Sequence, residues 1–168
     1  MCTRRFSATL IAAAALLPAP VVAEVALSGV DGELADNVRA FIALDDEPCD
    51  AESWLVRRRF RALETQARNA LEPFGYYSPI ISTQLSFTEN CWHADLAIDI
   101  GEPVRYRDID VSINGAAAAD PGFADLPQRA ALRQGEVLRH AHYDSLKRRL
   151  LTLAADRGYL EARFETNR

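Results

Sequence analysis

Cys49, Cys91 and His93 are the residues of this chain best suited to forming a bond or holding a metal. Two thiols in an oxidising compartment point to a disulfide. The other reading adds His93 to them as a metal site, although three ligands without tight spacing make a poor zinc signature. His140 and His142 are a second pair of possible ligands. They stand just before a helical pattern, where capping and surface packing account for them. Arg57, Arg58, Arg59 and Arg61 form a local run of cations, which fits a solvated helix face better than an anion site. There is no Gly-rich phosphate loop, no nucleophile motif and no pair of glutamates at a site-like spacing. The residues therefore predict a binding module and not an enzyme, with no cofactor and no metal.

The start of the chain says which compartment those thiols meet. Arg4 and Arg5 precede a short apolar core, Leu10 to Leu17, which Pro18 and Pro20 break. Val21-Val22-Ala23 then offers small residues before Glu24. This is the pattern of a secretory signal peptide over residues 1–23, with cleavage after Ala23. The apolar run is far short of the ~20 residues that span a bilayer. Thr3-Arg4-Arg5 hints at a twin-arginine signal, but the general secretory route fits better. Cys2 leaves with the signal. The whole chain has a net charge of −5, and loss of Arg4 and Arg5 makes the remainder more acidic. An acidic exported protein is not built to bind nucleic acid. Its 49% hydrophobic and 26% charged residues are those of a folded protein, and 168 residues suffice for one ordinary domain or two small ones.

The elements that must position these residues centre on 60–100. Phe60, Leu63, Ala67, Ala70, Leu71 and Phe74 repeat every three or four residues, the stripe of a helix with one buried face. Gly75 follows, ready to accept a left-handed cap. Tyr76 and Tyr77 open an extended run in which Tyr77, Pro79, Ile81, Thr83, Leu85 and Phe87 share one face and Ser82, Gln84 and Ser86 the other. After Glu89-Asn90, Ala94, Leu96, Ile98 and Ile100 face in while His93, Asp95 and Asp99 face out. Two half-buried strands on so short a turn are an antiparallel hairpin. A helix covering a one-sided sheet makes a two-layer α+β unit. Upstream, Val25, Leu27 and Val30 read as a strand, and Leu34, Val38, Phe41 and Ile42 as a helical stripe. Asp50 is placed to cap the next helix, which carries Trp54 and Leu55.

The pattern then starts again. Val104, Tyr106, Ile109, Val111 and Ile113 predict a strand. Pro121 and Pro127 allow only short helical pieces between 116 and 138. Tyr143 to Asp156 reads as a helix ended by Gly158-Tyr159, with Leu160 to Phe164 extended. At an offset of 83, Phe60, Leu63, Ala67, Ala70, Gly75 and Tyr76 fall on Tyr143, Leu146, Leu150, Leu153, Gly158 and Tyr159. This is an internal repeat, cut short before its last strand.

A repeated strand-helix-helix-strand-strand unit in an exported chain resembles the POTRA (polypeptide-transport-associated) domain. Arg58-Arg59-Phe60-Arg61-Ala62, Ala70-Leu71 and Gly75-Tyr76-Tyr77-Ser78-Pro79 resemble the first POTRA domain of the TamA family, the outer-membrane subunits of the translocation and assembly module. Gly101-Glu102-Pro103-Val104 resembles the link to the second domain. Gly135, Leu138, His140, Tyr143, Asp144, Lys147 and Leu150, ending in Gly158-Tyr159, are similar to that second domain.

The resemblance implies an α+β fold of tandem POTRA domains (β-α-α-β-β): one at 24–101 and a second, incomplete, at 102–168. It implies a periplasmic arm at the outer membrane, binding partner or substrate strands during assembly of outer-membrane proteins and autotransporters, with a TamB-like bridging protein as partner. The family's third POTRA domain and membrane β-barrel are not in this chain, so insertion activity is not expected of it alone. A stand-alone periplasmic scaffold, or a gene fragment without function, is the alternative. The family chain path brings the helix-helix loop and the hairpin turn to one end of the domain, where Cys49 and Cys91 would meet. Its strand order of first, third, second leaves the second strand at an edge. Tyr77, Ile81, Ser82, Thr83, Gln84, Leu85, Ser86 and Phe87 are then the expected partner-binding strand. The same order makes the strand missing from the second unit its central one, so that unit is expected to be marginal.

Overall fold

Leu63, Ala67, Ala70 and Leu71 are all fully buried, and the line they draw along one helix decides how the first unit closes. The computed structural model describes residues 23–124 and 132–165. The expected signal peptide, apart from Ala23, and the piece around Pro127 lie outside the described residues. The first unit runs β1 (Glu24–Ser28), α1 (Gly32–Phe41), α2 (Ser53–Leu71), a 3-10 turn (Glu72–Phe74), β2 (Ile80–Phe87) and β3 (Trp92–Asp99). The sheet order is β1-β3-β2, with β1 parallel and β2 antiparallel to β3. β3 is buried at Trp92, Ala94, Leu96 and Ile98 and exposed at Asp95, Ala97 and Asp99, because a strand turns alternate side chains to opposite faces. Val25, Val38, Ile42, Leu44 and Val56 complete the core between sheet and helices. Each buried leucine such as Leu63 or Leu96 contributes about 2 kcal/mol by leaving water.

The α1–α2 connection is tied down by side chains. The Ala43 N–H donates to Gln66 Oε1 (3.3 Å) and the Trp92 indole N–H to the Pro48 carbonyl (3.0 Å). The Val25 N–H donates to Asp45 Oδ1 (3.2 Å), and Asn37 donates to the Ala70 carbonyl at 2.7 Å. Two details differ from the sequence reading. Asp50 does not cap α2. The N-cap is Glu52, without a side-chain cap bond, because the chain turns after Asp50 before the helix begins. Phe41 leaves the α1 stripe and is half exposed, its place taken by Leu44 on the pinned connection. Trp54 lies on α2 but is 60% exposed. It stands roughly 200° around the helix from buried Val56.

The second unit keeps the helix and loses the strands. α3 (His140–Asp156) buries Leu146, Leu150 and Ala154 against Phe123 and Leu132. Residues 104–113 form no strand, apart from one isolated bridge between Arg105 and Val137. Tyr106, Ile109, Val111 and Ile113 still pack on this cluster. The inward side chains are as expected, but no strand among the described residues is there to pair with the backbone. Leu160 to Phe164 is turn and irregular chain for the same reason.

Candidate functional site

β3 occupies the centre of the sheet, so one side of β2 has no neighbouring strand among the described residues. Which backbone groups point that way follows from the hairpin. The Thr88 N–H donates to the Cys91 carbonyl at 2.8 Å and the Cys91 N–H to Thr88 Oγ1 at 3.1 Å, so these two residues turn their backbone groups toward each other, as in a hydrogen-bonded pair. Such pairs alternate with non-bonded ones along an antiparallel ladder. With the register Ser86↔His93, Gln84↔Asp95, Ser82↔Ala97 and Ile80↔Asp99, those four residues of β2 turn their N–H and C=O toward β3. Ile81, Thr83, Leu85 and Phe87 turn theirs to the open edge.

Their side chains obey the other alternation. Ile81 and Leu85 pack against the core. Ser82, Gln84 and Ser86 stand on the exposed face with Ile80, an apolar residue that is 69% exposed and absent from the expected set. The opposite edge, on β1, is partly closed, since the Asp45 carboxylate takes the outward N–H of Val25. β2 is thus the longer and more open of the two edges.

Alongside it runs a groove of about 460 Å³ lined by Arg57, Phe60 and Arg61 of α2 and by Thr83, Gln84 and Leu85. The Arg57 guanidinium lies over the Phe87 ring, 4.7 Å from its centroid. At the far end Arg68 donates to the Pro79 carbonyl (3.0 Å) and pairs with Glu64 (3.0 Å). Arg57 and Arg61 read in sequence as part of a solvated face. Their spacing of four residues was the signal that Arg57 and Arg61 share one side of α2.

Tyr77 departs from the expected edge. The strand begins at Ile80, because the chain leaving the Gly75 cap needs Tyr76 to Pro79 to turn into the sheet. The Tyr77 hydroxyl is hydrogen-bonded to His140 Nε2 at 2.6 Å, at the start of α3. Partial burial, and then the Glu72 carboxylate, push that hydroxyl above the usual tyrosine range. His140 is therefore a contact between the two units. Cys49 and Cys91 are joined by a disulfide (S–S 2.05 Å), which takes both thiolates from any metal and leaves His93 beside Asp95 (3.2 Å). Among the described residues no group of three or more His, Cys, Asp or Glu is placed to hold a metal ion.

Nearer α3, Asp120 accepts from the Gly122 N–H (2.9 Å), Arg157 (2.7 Å) and the Tyr159 hydroxyl (3.3 Å). The Gly122 bond, with help from Arg157 and Tyr159, holds its carboxyl below the usual aspartate range against the opposing effect of desolvation. These bonds fasten the turn at 120–123 to the end of α3.

Residues 24–100 match the family model described as POTRA domain, TamA domain 1. Among solved structures, the chain is similar to POTRA1-2 of the periplasmic domain of Omp85 from Anabaena, at 16% identity and a TM-score of 0.39. That match covers 88% of this chain and 87% of that one. It is also similar to Haemophilus influenzae BamA POTRA3-5, at 16% identity and a TM-score of 0.37 over 86% of this chain. It spans about half of that structure, 52%.

Proposed function

We propose that the chain, whose residues 24–100 match the family model of the first POTRA domain of TamA, is the periplasmic part of an outer-membrane assembly factor that captures partner strands at β2. Capture is by β-augmentation, in which an extended segment adds itself to a sheet edge through main-chain hydrogen bonds. The partner is a β-rich TamB-like bridging protein, and strands of outer-membrane protein substrates use the same edge. Residues 102–168 act as the beginning of a second POTRA domain and set the first at a distance from the membrane.

The observation that supports this reading is the open edge itself. Ile81, Thr83, Leu85 and Phe87 offer N–H and C=O groups on a strand of eight residues with no charged side chain. Natural edges are usually blunted by charge or cover.

The test uses proline as a donor deletion. Thr83→Pro removes an outward N–H and should leave the protein folded by circular dichroism while abolishing capture of a TamB-like strand in a pull-down. Gln84→Pro removes a ladder donor facing Asp95 and should cost at least about 1–3 kcal/mol of stability. A folded Thr83→Pro variant with wild-type affinity would remove the edge as the binding site.

A further inference from the structure

We propose that the strand captured at β2 carries acidic side chains at alternate positions, on the side that faces α2. The proposal rests on the edge reading above and adds to it the chemistry of the occupant. Residues of an added strand opposite Thr83, Leu85 and Phe87 project to the same side of the sheet as those three do, which is toward α2. There they enter the groove walled by Arg57, Phe60 and Arg61. Residues opposite Ser82, Gln84 and Ser86 face the open side.

The wall is cationic and uncompensated. Ion pairs within the described residues engage Arg39, Arg59, Arg68, Arg107, Arg139 and Arg157, and none of them engages Arg57 or Arg61. Two such cations beside the open edge run against the balance of a chain whose net charge is −5. Their spacing also suits a strand. Four residues of helix rise about 6 Å, and alternate residues of a strand lie about 6.7 Å apart. Carboxylates at i and i+2 of the incoming strand therefore come level with Arg57 and Arg61 together. Arg68 ends the series, because Glu64 and the Pro79 carbonyl already hold it.

The test measures binding of three peptides as long as β2 to the whole chain by fluorescence anisotropy. The peptides share a strand-forming sequence and carry Glu, Gln or Lys at alternate positions. The Glu peptide should bind roughly three- to tenfold tighter than the Gln peptide, and the Lys peptide more weakly by a similar factor. The preference should shrink as salt rises. Arg57→Gln with Arg61→Gln should level the three peptides, and Arg57→Glu with Arg61→Glu should invert the order, in variants shown to be folded by circular dichroism. Equal binding of all three to the wild type, with release by Thr83→Pro, overturns the acidic partner and leaves the edge reading standing. Unchanged binding to Thr83→Pro overturns the edge reading itself. Vesicles containing phosphatidylglycerol serve as the competing ligand. If they bind through Arg57 and Arg61 while the peptides show no preference, the wall belongs to a membrane surface and the proposal fails.

Discussion

Cys49 and Cys91 lie 42 residues apart in sequence and are bonded in the fold, joining the α1–α2 connection to the turn of the hairpin. Trp92, next to the bond, is buried and donates to Pro48, so the side chains around the disulfide are fixed independently of it. Closing a loop of this length restricts the unfolded chain by up to about 4 kcal/mol in the entropic account. Cys49→Ser with Cys91→Ser, or reduction, should therefore lower stability to urea by up to that amount without changing the far-ultraviolet spectrum. Two free thiols in unreduced exported protein, read by mass spectrometry, would show that the bond does not form. That these thiols pair and do not ligate with His93 was left open by residue types. It depended on the path of the chain, which the family resemblance supplied and residue spacing did not.

The two long helices end alike, and the likeness extends to backbone hydrogen bonds. The Gly75 N–H donates to the Glu72 carbonyl and the Tyr76 N–H to Leu71. The Gly158 N–H donates to Ala155 and the Tyr159 N–H to Ala154. Both glycines are left-handed, at φ 93° and 86°. This is one C-terminal cap used twice, and it was legible because a glycine after an apolar stripe has few other uses. The segments after each cap differ. β2 finds β3, whereas Leu160 to Phe164 is turn and irregular chain, and 104–113, ahead of α3, keeps its alternation with a single bridge at Arg105. Amides at Ile109, Val111 and Ile113 should therefore exchange with deuterium far faster than those at Ala94, Leu96 and Ile98. Protease should cut after about Gly101 while 24–100 resists. Equal protection of both sets in monomeric protein would mean that 104–113 is held by a ladder.

Across the whole molecule the two units meet at the α2 cap. The Val104 N–H donates to the Gly75 carbonyl and the Leu138 N–H to the Val104 carbonyl, each at 2.8 Å. Arg139 pairs with Glu33 at 2.8 Å and lies over the Phe74 ring. A Cβ on Gly75 would come within 2.6 Å of the Leu138 carbonyl oxygen, while one on Gly158 would meet nothing within 4 Å. Both substitutions to alanine should share a left-handed cost of roughly 1–2 kcal/mol. Gly75→Ala should cost more in thermal unfolding and should also speed cleavage between 101 and 103. Equal losses for the two variants would mean that the contact at Gly75 is not holding the units together.

The sequence by itself determined the inward stripes of α2 and β3 and the glycines at which the two long helices stop. Those properties follow from local periods of two and 3.6 residues and from a glycine that accepts a positive φ. It also set the repeat that ties the two units together. The tertiary structure decided what depends on a distant neighbour: the pairing of 49 with 91, the loss of strand at 104–113, and the transfer of Tyr77 from the edge to His140. It also decided that Thr83, and not Gln84, turns its N–H outward, since that parity is fixed by the hairpin bond at Thr88 and Cys91. Alternation in a sequence says that successive residues oppose each other. Only the partner strand says which of the two faces the partner.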